Sequence, residues 1–273
     1  MPIKAIPSAR QLASQTVGAL EAAADSTRAA QARSYFKRHE KTEFYGVSSP
    51  KARQIERSLF QMVRGHWTIG DAISYCDILI RKPYMESKFI GLLLLSRFRK
   101  RFDADLLRTG KFWISRGYCD NWAVTDGIST LIIAPLLRTF PGLIPRTKSW
   151  ISSENLWLRR SVLVSLVPGA RKGELLDEAY AAAASLLGSR DDLIHKATGW
   201  LLREAGKTDP SRLEAFLLNR GPKIPRTALR YAIEKLPASK RRMILDQTRT
   251  PLRLAPRRRG GRAAECEPVS ART

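Results

Sequence analysis

Cysteine, histidine, acidic residues and long apolar runs are all scarce in this chain, and each shortage closes off a class of protein. Three cysteines (Cys76, Cys119, Cys266), odd in number and far apart, make no disulfide framework and read as reduced thiols. Three histidines (His39, His66, His195) are scattered, with no Cys/His spacing suited to a metal, so none is expected. The longest apolar run, Phe89 to Leu95, has seven residues with a glycine inside, too short for a membrane span. The start, Met1-Pro2-Ile3-Lys4-Ala5, lacks the apolar stretch of a secretory signal, which points to the cytoplasm. Neither a phosphate-binding P-loop nor a GxGxxG pattern occurs, and no Ser/His/Asp order stands out. Period-2 alternation is missing as well, so no strand is expected.

What the chain has is positive charge. Forty-eight Lys and Arg stand against 25 Asp and Glu, a net +23. That balance favours a polyanionic partner, most simply DNA or RNA. An anionic membrane surface fits less well, because the apolar stripes are committed to a core. Residues 240–273 carry ten cations and three acids, so +16 of the charge lies in the body. The hydrophobic fraction of 44% over 273 residues belongs to a globular chain with a substantial core.

Glycine and proline stops arrive every ten to twenty residues, and the stretches between them carry helical stripes. Pro50 opens one helix, Thr68 or Asp71 the next, and Pro83 a strongly apolar one closing in Arg97-Phe98-Arg99-Lys100-Arg101. That basic cluster reads as a solvated helix end, with nucleic-acid backbone contact as the alternative. Asp103, Asp120 and Ser153 are the expected caps of the following helices, and Pro168-Gly169 an expected stop. Glu86, Trp122, Arg160 and Trp200 are separated by 36, 38 and 40 residues, each on the second member of a helix pair. A period near 40 with two helices per unit predicts an all-α, right-handed α-solenoid of HEAT-like/armadillo-type repeats with a concave basic face. We divide the chain into an Ala-rich helical segment (1–32), the repeat domain (33–248) and a basic, disordered tail (249–273).

One stretch concentrates the chemistry. In Asp120-Asn121-Trp122-Ala123-Val124-Thr125-Asp126, Val124, Ile128 and Leu131 make a core stripe. Trp122 and Asp126, four apart, share the opposite side, joined by Ser129. A carboxylate beside an aromatic, in so basic a chain, is either an ordinary helix start or a site for a cation. Arg160 lies three residues after Trp157, and Lys196, Trp200 and Arg203 fall on one side of a later helix.

Four places resemble the DNA alkylation repair enzymes of the AlkD type, DNA glycosylases built of HEAT-like repeats. They are Tyr35-Phe36-Lys37 followed by Phe44-Tyr45-Gly46-Val47 and Pro50; Asn121-Trp122-x-x-x-Asp126; Trp157-Leu158-x-Arg160; and Lys196-Ala197-x-Gly199-Trp200-x-Leu202-Arg203-Glu204, extended by Lys207-Thr208-Asp209-Pro210. The similarity spans about 33–236. It implies Asp126 as the catalytic carboxylate, Trp122 and Trp200 as aromatic walls, Arg160 on the DNA backbone and Tyr35 facing the lesion. Lys196 and Arg203 join them as expected DNA contacts. Where many relatives carry an acid directly after the first tryptophan, this chain has Ala123, which bears on substrate preference.

The implied reaction is hydrolysis of the N-glycosidic bond of N3- or N7-alkylated, cationic purines in duplex DNA. Bond breaking develops oxocarbenium character on the sugar, which a carboxylate stabilises. No cofactor is expected, and the protein should act as a monomer without a membrane. The rival reading is a non-catalytic helical-repeat protein that binds nucleic acid through its basic face. A protein-interaction scaffold with incidental charge is the third.

Overall fold

Capping side chains decide where the helices begin. In the computed structural model, which describes residues 5–36 and 42–249, Ser8 and Gln11 form a reciprocal capping box for α1 (Ala9–Glu21). Asp25 accepts from the Arg28 N–H and opens α2 (Ser26–Ser34). Pro50 stands in the first turn of α3 (Ser49–Val63), where its missing N–H costs nothing. For α4 (Ile69–Ile80) both Thr68 and Asp71 act, as the two halves of one capping box. Then come α5 (Met85–Ser96) and α6 (Leu106–Ser115), where the Asp103 carboxylate accepts from the Leu106 N–H.

Two expected caps shift by a residue or two. Asn121, not Asp120, accepts the Val124 N–H at 2.9 Å and starts α7 (Trp122–Ile128). Asn155, not Ser153, does the same for Trp157 and Leu158 in α10 (Leu156–Ala170). Ser153 instead accepts from the Asn155 N–H and shapes the entry. Between these helices a π turn, Ser129–Ile133, joins α7 to α8 (Ala134–Thr139), and α9 (Ile144–Lys148) follows. Pro168 lies inside α10 rather than ending it. The remaining helices are α11 (Leu176–Leu186), α12 (Asp192–Ala205), α13 (Pro210–Arg220), α14 (Arg226–Ile233) and α15 (Ala238–Gln247).

No strand occurs among the described residues; one isolated parallel bridge joins Glu43 to Tyr84. The fold is all-α, and its packing fits a helical-repeat solenoid. Helices α5, α7, α10, α12 and α14 touch in succession, and α4 and α11 back onto this row. Glu86, Trp122, Arg160 and Trp200 lie on four consecutive members of it, so the loose period in the sequence is the spacing of helices within one layer. Among the described residues no single helix is long and apolar enough to cross a membrane.

A boundary at 32/33 cuts through α2, and the first helices are not a separate unit. Leu12, Ala13, Thr16 and Leu20 of α1 are buried in the common core, and the Thr16 hydroxyl lies 2.7 Å from that of Tyr75 on α4. Alanine-rich as it is, α1 carries enough apolar surface on one side to be held there. All of the 249–273 tail beyond Arg249 lies outside the described residues.

The approach of α12 to α14 depends on a missing side chain. A Cβ on Gly199 would stand 2.4 Å from the Tyr231 Cβ and 2.5 Å from the Ala228 carbonyl oxygen. Neither atom has room to retreat, since Ala228 is backbone and Cβ of Tyr231 is rooted in its helix. Gly199→Ala should therefore destabilise the fold by about 1–3 kcal/mol, read from its denaturant midpoint, through forced overpacking. An unchanged midpoint would show that the two helices part without cost.

Candidate active site

The site's outer wall is a loop pinned by a buried carboxylate. Glu86, at the start of α5, accepts the backbone N–H groups of Tyr45 (3.1 Å), Gly46 (2.9 Å) and Val47 (3.1 Å). Three donors that would otherwise be stranded in the core are thereby satisfied. Gly46 has φ +80°, and a Cβ there would fall 2.0 Å from the Asp25 carbonyl oxygen. Only glycine lets this loop lie against the start of α2. Asn121 adds a second tie, donating through Nδ2 to the Thr42 hydroxyl at 3.0 Å while it caps α7.

Loop and helices enclose a cleft of about 670 Å³. Its lining includes Phe44, Phe89, Leu131, Trp122, Trp200 and, on its floor, Asp126. Trp122 is 37% exposed, and the Phe36 ring stacks on it at 5.4 Å with the planes 10° apart. Phe44 continues the aromatic surface, 5.4 Å from Phe36. Tyr35, the expected aromatic, ends α2 with 79% of its surface exposed and lines no part of the cleft. Neighbouring positions at a helix end point in different directions, so of the Tyr35-Phe36 pair only Phe36 packs on the cleft residue Trp122. The sequence offered the pair but no way to choose between them.

Asp126 is held by Arg160. The guanidinium donates from Nε to Oδ1 and from Nη2 to Oδ2, both at 2.8 Å, a two-pronged pairing of planar groups. Its third nitrogen, Nη1, donates to the Leu193 carbonyl at 2.6 Å. Arg160 has only 6% of its side chain exposed, and its donors are spent on Asp126 and the Leu193 carbonyl. The residue is spent on its neighbours because α10 lies between α7 and α12 and the side chain reaches both. Asp126 keeps 18% of its side chain open to the cleft. Burial among apolar groups pushes its carboxyl above the ordinary 3.8, and the hydrogen bonds and charge of Arg160 pull it down without cancelling that rise.

Ser129 is not on this face. It is wholly buried, donating to the Thr125 carbonyl and lying 2.8 Å from the Ser161 hydroxyl of α10. The π turn that begins there starts three residues after Asp126, and Thr130 returns a hydrogen bond to the Asp126 carbonyl at 2.7 Å. Such turns widen a helix locally and recur at functional sites.

The other expected contacts, Lys196 and Arg203, do not line the cleft. Lys196 pairs with Asp192 one turn back at 2.8 Å. Arg203 pairs with Glu234 of the next helical pair and borders a separate cavity together with Lys207 and Lys240. Glu204, nearly fully buried, collects Arg171 at 2.8 Å and Lys207 at 2.6 Å. Arg203 and Glu204 of the Lys196–Pro210 motif therefore tie helices together, and Trp200 alone of its residues reaches the cleft. Ala123 also lines it, so the position without an acid faces the same space. Among the described residues no group of three His, Cys, Asp or Glu side chains is placed to hold a metal.

A carboxylate at the foot of an aromatic cleft, oriented by a buried guanidinium, is built to meet positive charge. A sequence model of the family described as DNA alkylation repair enzyme matches residues 17–236. The chain belongs to the DNA alkylation repair enzyme family. No curated protein matches it. Its fold is similar to that of a solved protein described as a predicted DNA alkylation repair enzyme from Enterococcus faecalis, with a TM-score of 0.68. The two share 18% identity over 79% of this chain and 97% of the other. The family match begins within α1, in keeping with the place of that helix in the common core.

The ion pair makes two predictions of opposite kind. Removing one partner of a buried pair strands the other, so Arg160→Ala should lower unfolding stability by about 3 kcal/mol. In the folded variant, the Asp126 carboxyl should titrate higher than in the wild type by carbon-detected NMR, because the pull of Arg160 is gone. In the wild type, Asp126 already binds its proton more tightly folded than unfolded. Its contribution to stability is thus fully present below the unfolded value and is lost as pH rises through the folded one. A wild-type carboxyl titrating at or below 3.8 would contradict the burial on which this rests.

Proposed function

We propose that this DNA alkylation repair enzyme hydrolyses the N-glycosidic bond of purines alkylated at N3 or N7 in duplex DNA, as a monomer and without a metal or organic cofactor. The observation that carries the reading is the Asp126 carboxylate, aimed into an aromatic cleft and clamped by Arg160. Alkylation at either nitrogen makes the base a cation and a good leaving group. As the bond from the sugar C1′ to the base breaks, its electron pair goes to the base and neutralises it. Positive charge grows on the sugar, and water adds at C1′ with loss of a proton. The products are the free alkylated purine and an abasic sugar.

Each part of the cleft has a role in that sequence. Asp126, ionised, faces the growing sugar cation and positions the water. Trp122 and Trp200 offer ring faces to the cationic nucleotide and keep bulk water out. Arg160 acts as a positioning residue: it keeps the carboxylate ionised and in one orientation, which spares reorganisation when charge develops. A preorganised group of this kind contributes roughly 3–4 kcal/mol to lowering a barrier.

Asp126→Asn should therefore slow release of methylated purines from a methylated duplex by about 10²- to 10³-fold while DNA binding persists. Release is measured by chromatography of the freed bases. Activity of the wild type should also fall as pH drops through the titration of Asp126, which burial raises from its ordinary 3.8. If wild type and variant both bind but neither releases a base, the non-catalytic nucleic-acid-binding reading takes its place.

A further inference from the structure

A second cavity opens where α3 and α5 end. It measures about 460 Å³ and is lined by Arg57, Phe60, Arg64, Arg97, Arg99 and Lys100, with Gln61. Five cations border it. Among the described residues the single acid that pairs with any of them is Glu56, whose side chain is almost wholly buried. The side chains of Arg57, Arg64, Arg99 and Lys100 have no hydrogen-bond or ion-pair partner among the described residues, and Arg97 leaves its Nη1 without one.

Arg97 is fixed in place. It donates from Nε to Glu56 Oε1 at 3.0 Å and from Nη2 to Oε2 at 2.7 Å. Its guanidinium carbon lies 5.4 Å from the centre of the Phe60 ring, which in turn meets Phe98 edge-on at 6.0 Å. The sequence suggested an ordinary solvated helix end, and helix dipoles do favour cations there. Two helix C-termini supply only about one unit of negative charge between them, however, against five cations. With Glu56 already taken by Arg97, the surplus is about three charges crowded on one groove.

The position of the groove says what it is for. Ser49 and Arg53 at the start of α3, and Met85, Glu86 and Leu93 of α5, line the Asp126 cleft. One turn further along each helix, Arg57 and Arg97 line the basic groove. Both helices run from the cleft to the groove, side by side. A strand lying in the cleft would pass along this track as it leaves. Arg57 on α3 and Arg64 at its C-cap are about two turns apart, about 10 Å, the axial rise of roughly three nucleotides of one strand.

We propose that the α3/α5 groove is a phosphate-binding site for the DNA flanking the damaged nucleotide, with Arg97 as its preset anchor and Arg57, Arg64 and Arg99 as further contacts. It rests on the reading that the protein acts on duplex DNA, though not on the bond-breaking role of Asp126. The groove holds the backbone and carries no sequence preference, since phosphates are alike at every step.

The test uses the full chain and a short, fluorescently end-labelled duplex without any lesion, titrated by anisotropy at several salt concentrations. Each lost phosphate contact should make the plot of log affinity against log salt shallower by about 0.9. Arg57→Gln/Arg64→Gln/Arg99→Gln should therefore lose about 2.7 from the slope and bind more weakly at low salt. Arg10→Gln/Lys111→Gln/Arg190→Gln removes the same charge from exposed residues that line neither cavity and should keep nearly the wild-type slope. Thermal unfolding of both variants checks that they fold. Equal slopes for the two variants, or a groove variant indistinguishable from wild type, would overturn the proposal. So would a wild type that fails to bind the duplex at low salt. Because the duplex holds no damaged base, the result is independent of whether Asp126 breaks a glycosidic bond.

Discussion

Everything at this site hangs on one pair of planar groups meeting edge to edge. Asp126 belongs to α7, Arg160 to α10, and the carbonyl that takes the third nitrogen belongs to Leu193 of α12. Three consecutive helices of one layer are thus registered by a single guanidinium. The pair lies where water is scarce, so neither partner has another way to be satisfied. That scarcity holds the geometry, and it also raises the carboxyl's affinity for a proton and for any cation entering the cleft.

The same economy governs the rest of the chain. Acids are few, and the buried ones are committed to structure: Glu56 orients Arg97, Glu86 gathers three backbone N–H groups, and Glu204 joins Arg171 to Lys207. Each buried carboxylate fixes a contact between elements far apart in sequence. Many of the cations therefore remain outside with no acid opposite them. The net charge of +23 is in this sense a surface property, and the groove between α3 and α5 is where it is most concentrated among the described cavities.

Some sites were hidden from a one-dimensional reading for identifiable reasons. Tyr35 and Phe36 are adjacent aromatics, and choosing between them requires the exit angle of α2. Arg160 and Arg159 are adjacent arginines. One turns inward to Asp126, while the other bonds the carbonyls of Ser153 and Glu154 and pairs with Asp191. Asn121 displaced Asp120 as the cap because its amide serves twice, accepting from α7 and donating to Thr42. Each choice was made by a partner more than thirty residues away, or by the direction of a backbone that local pattern does not specify.

The sequence by itself determined that the chain is helical, where most helices start and end, and which four positions recur at the spacing of one layer. Those are local or periodic properties, set by caps, prolines, glycines and apolar stripes within a few turns. It also carried the family, whose sequence model matches residues 17–236. Only the tertiary structure decided what the charged residues of those motifs do. A cation's role depends on whether an acid reaches it across a helix interface, and that is a distance in space. The same principle separates Arg160, closed in on Asp126, from Arg57, open to the groove.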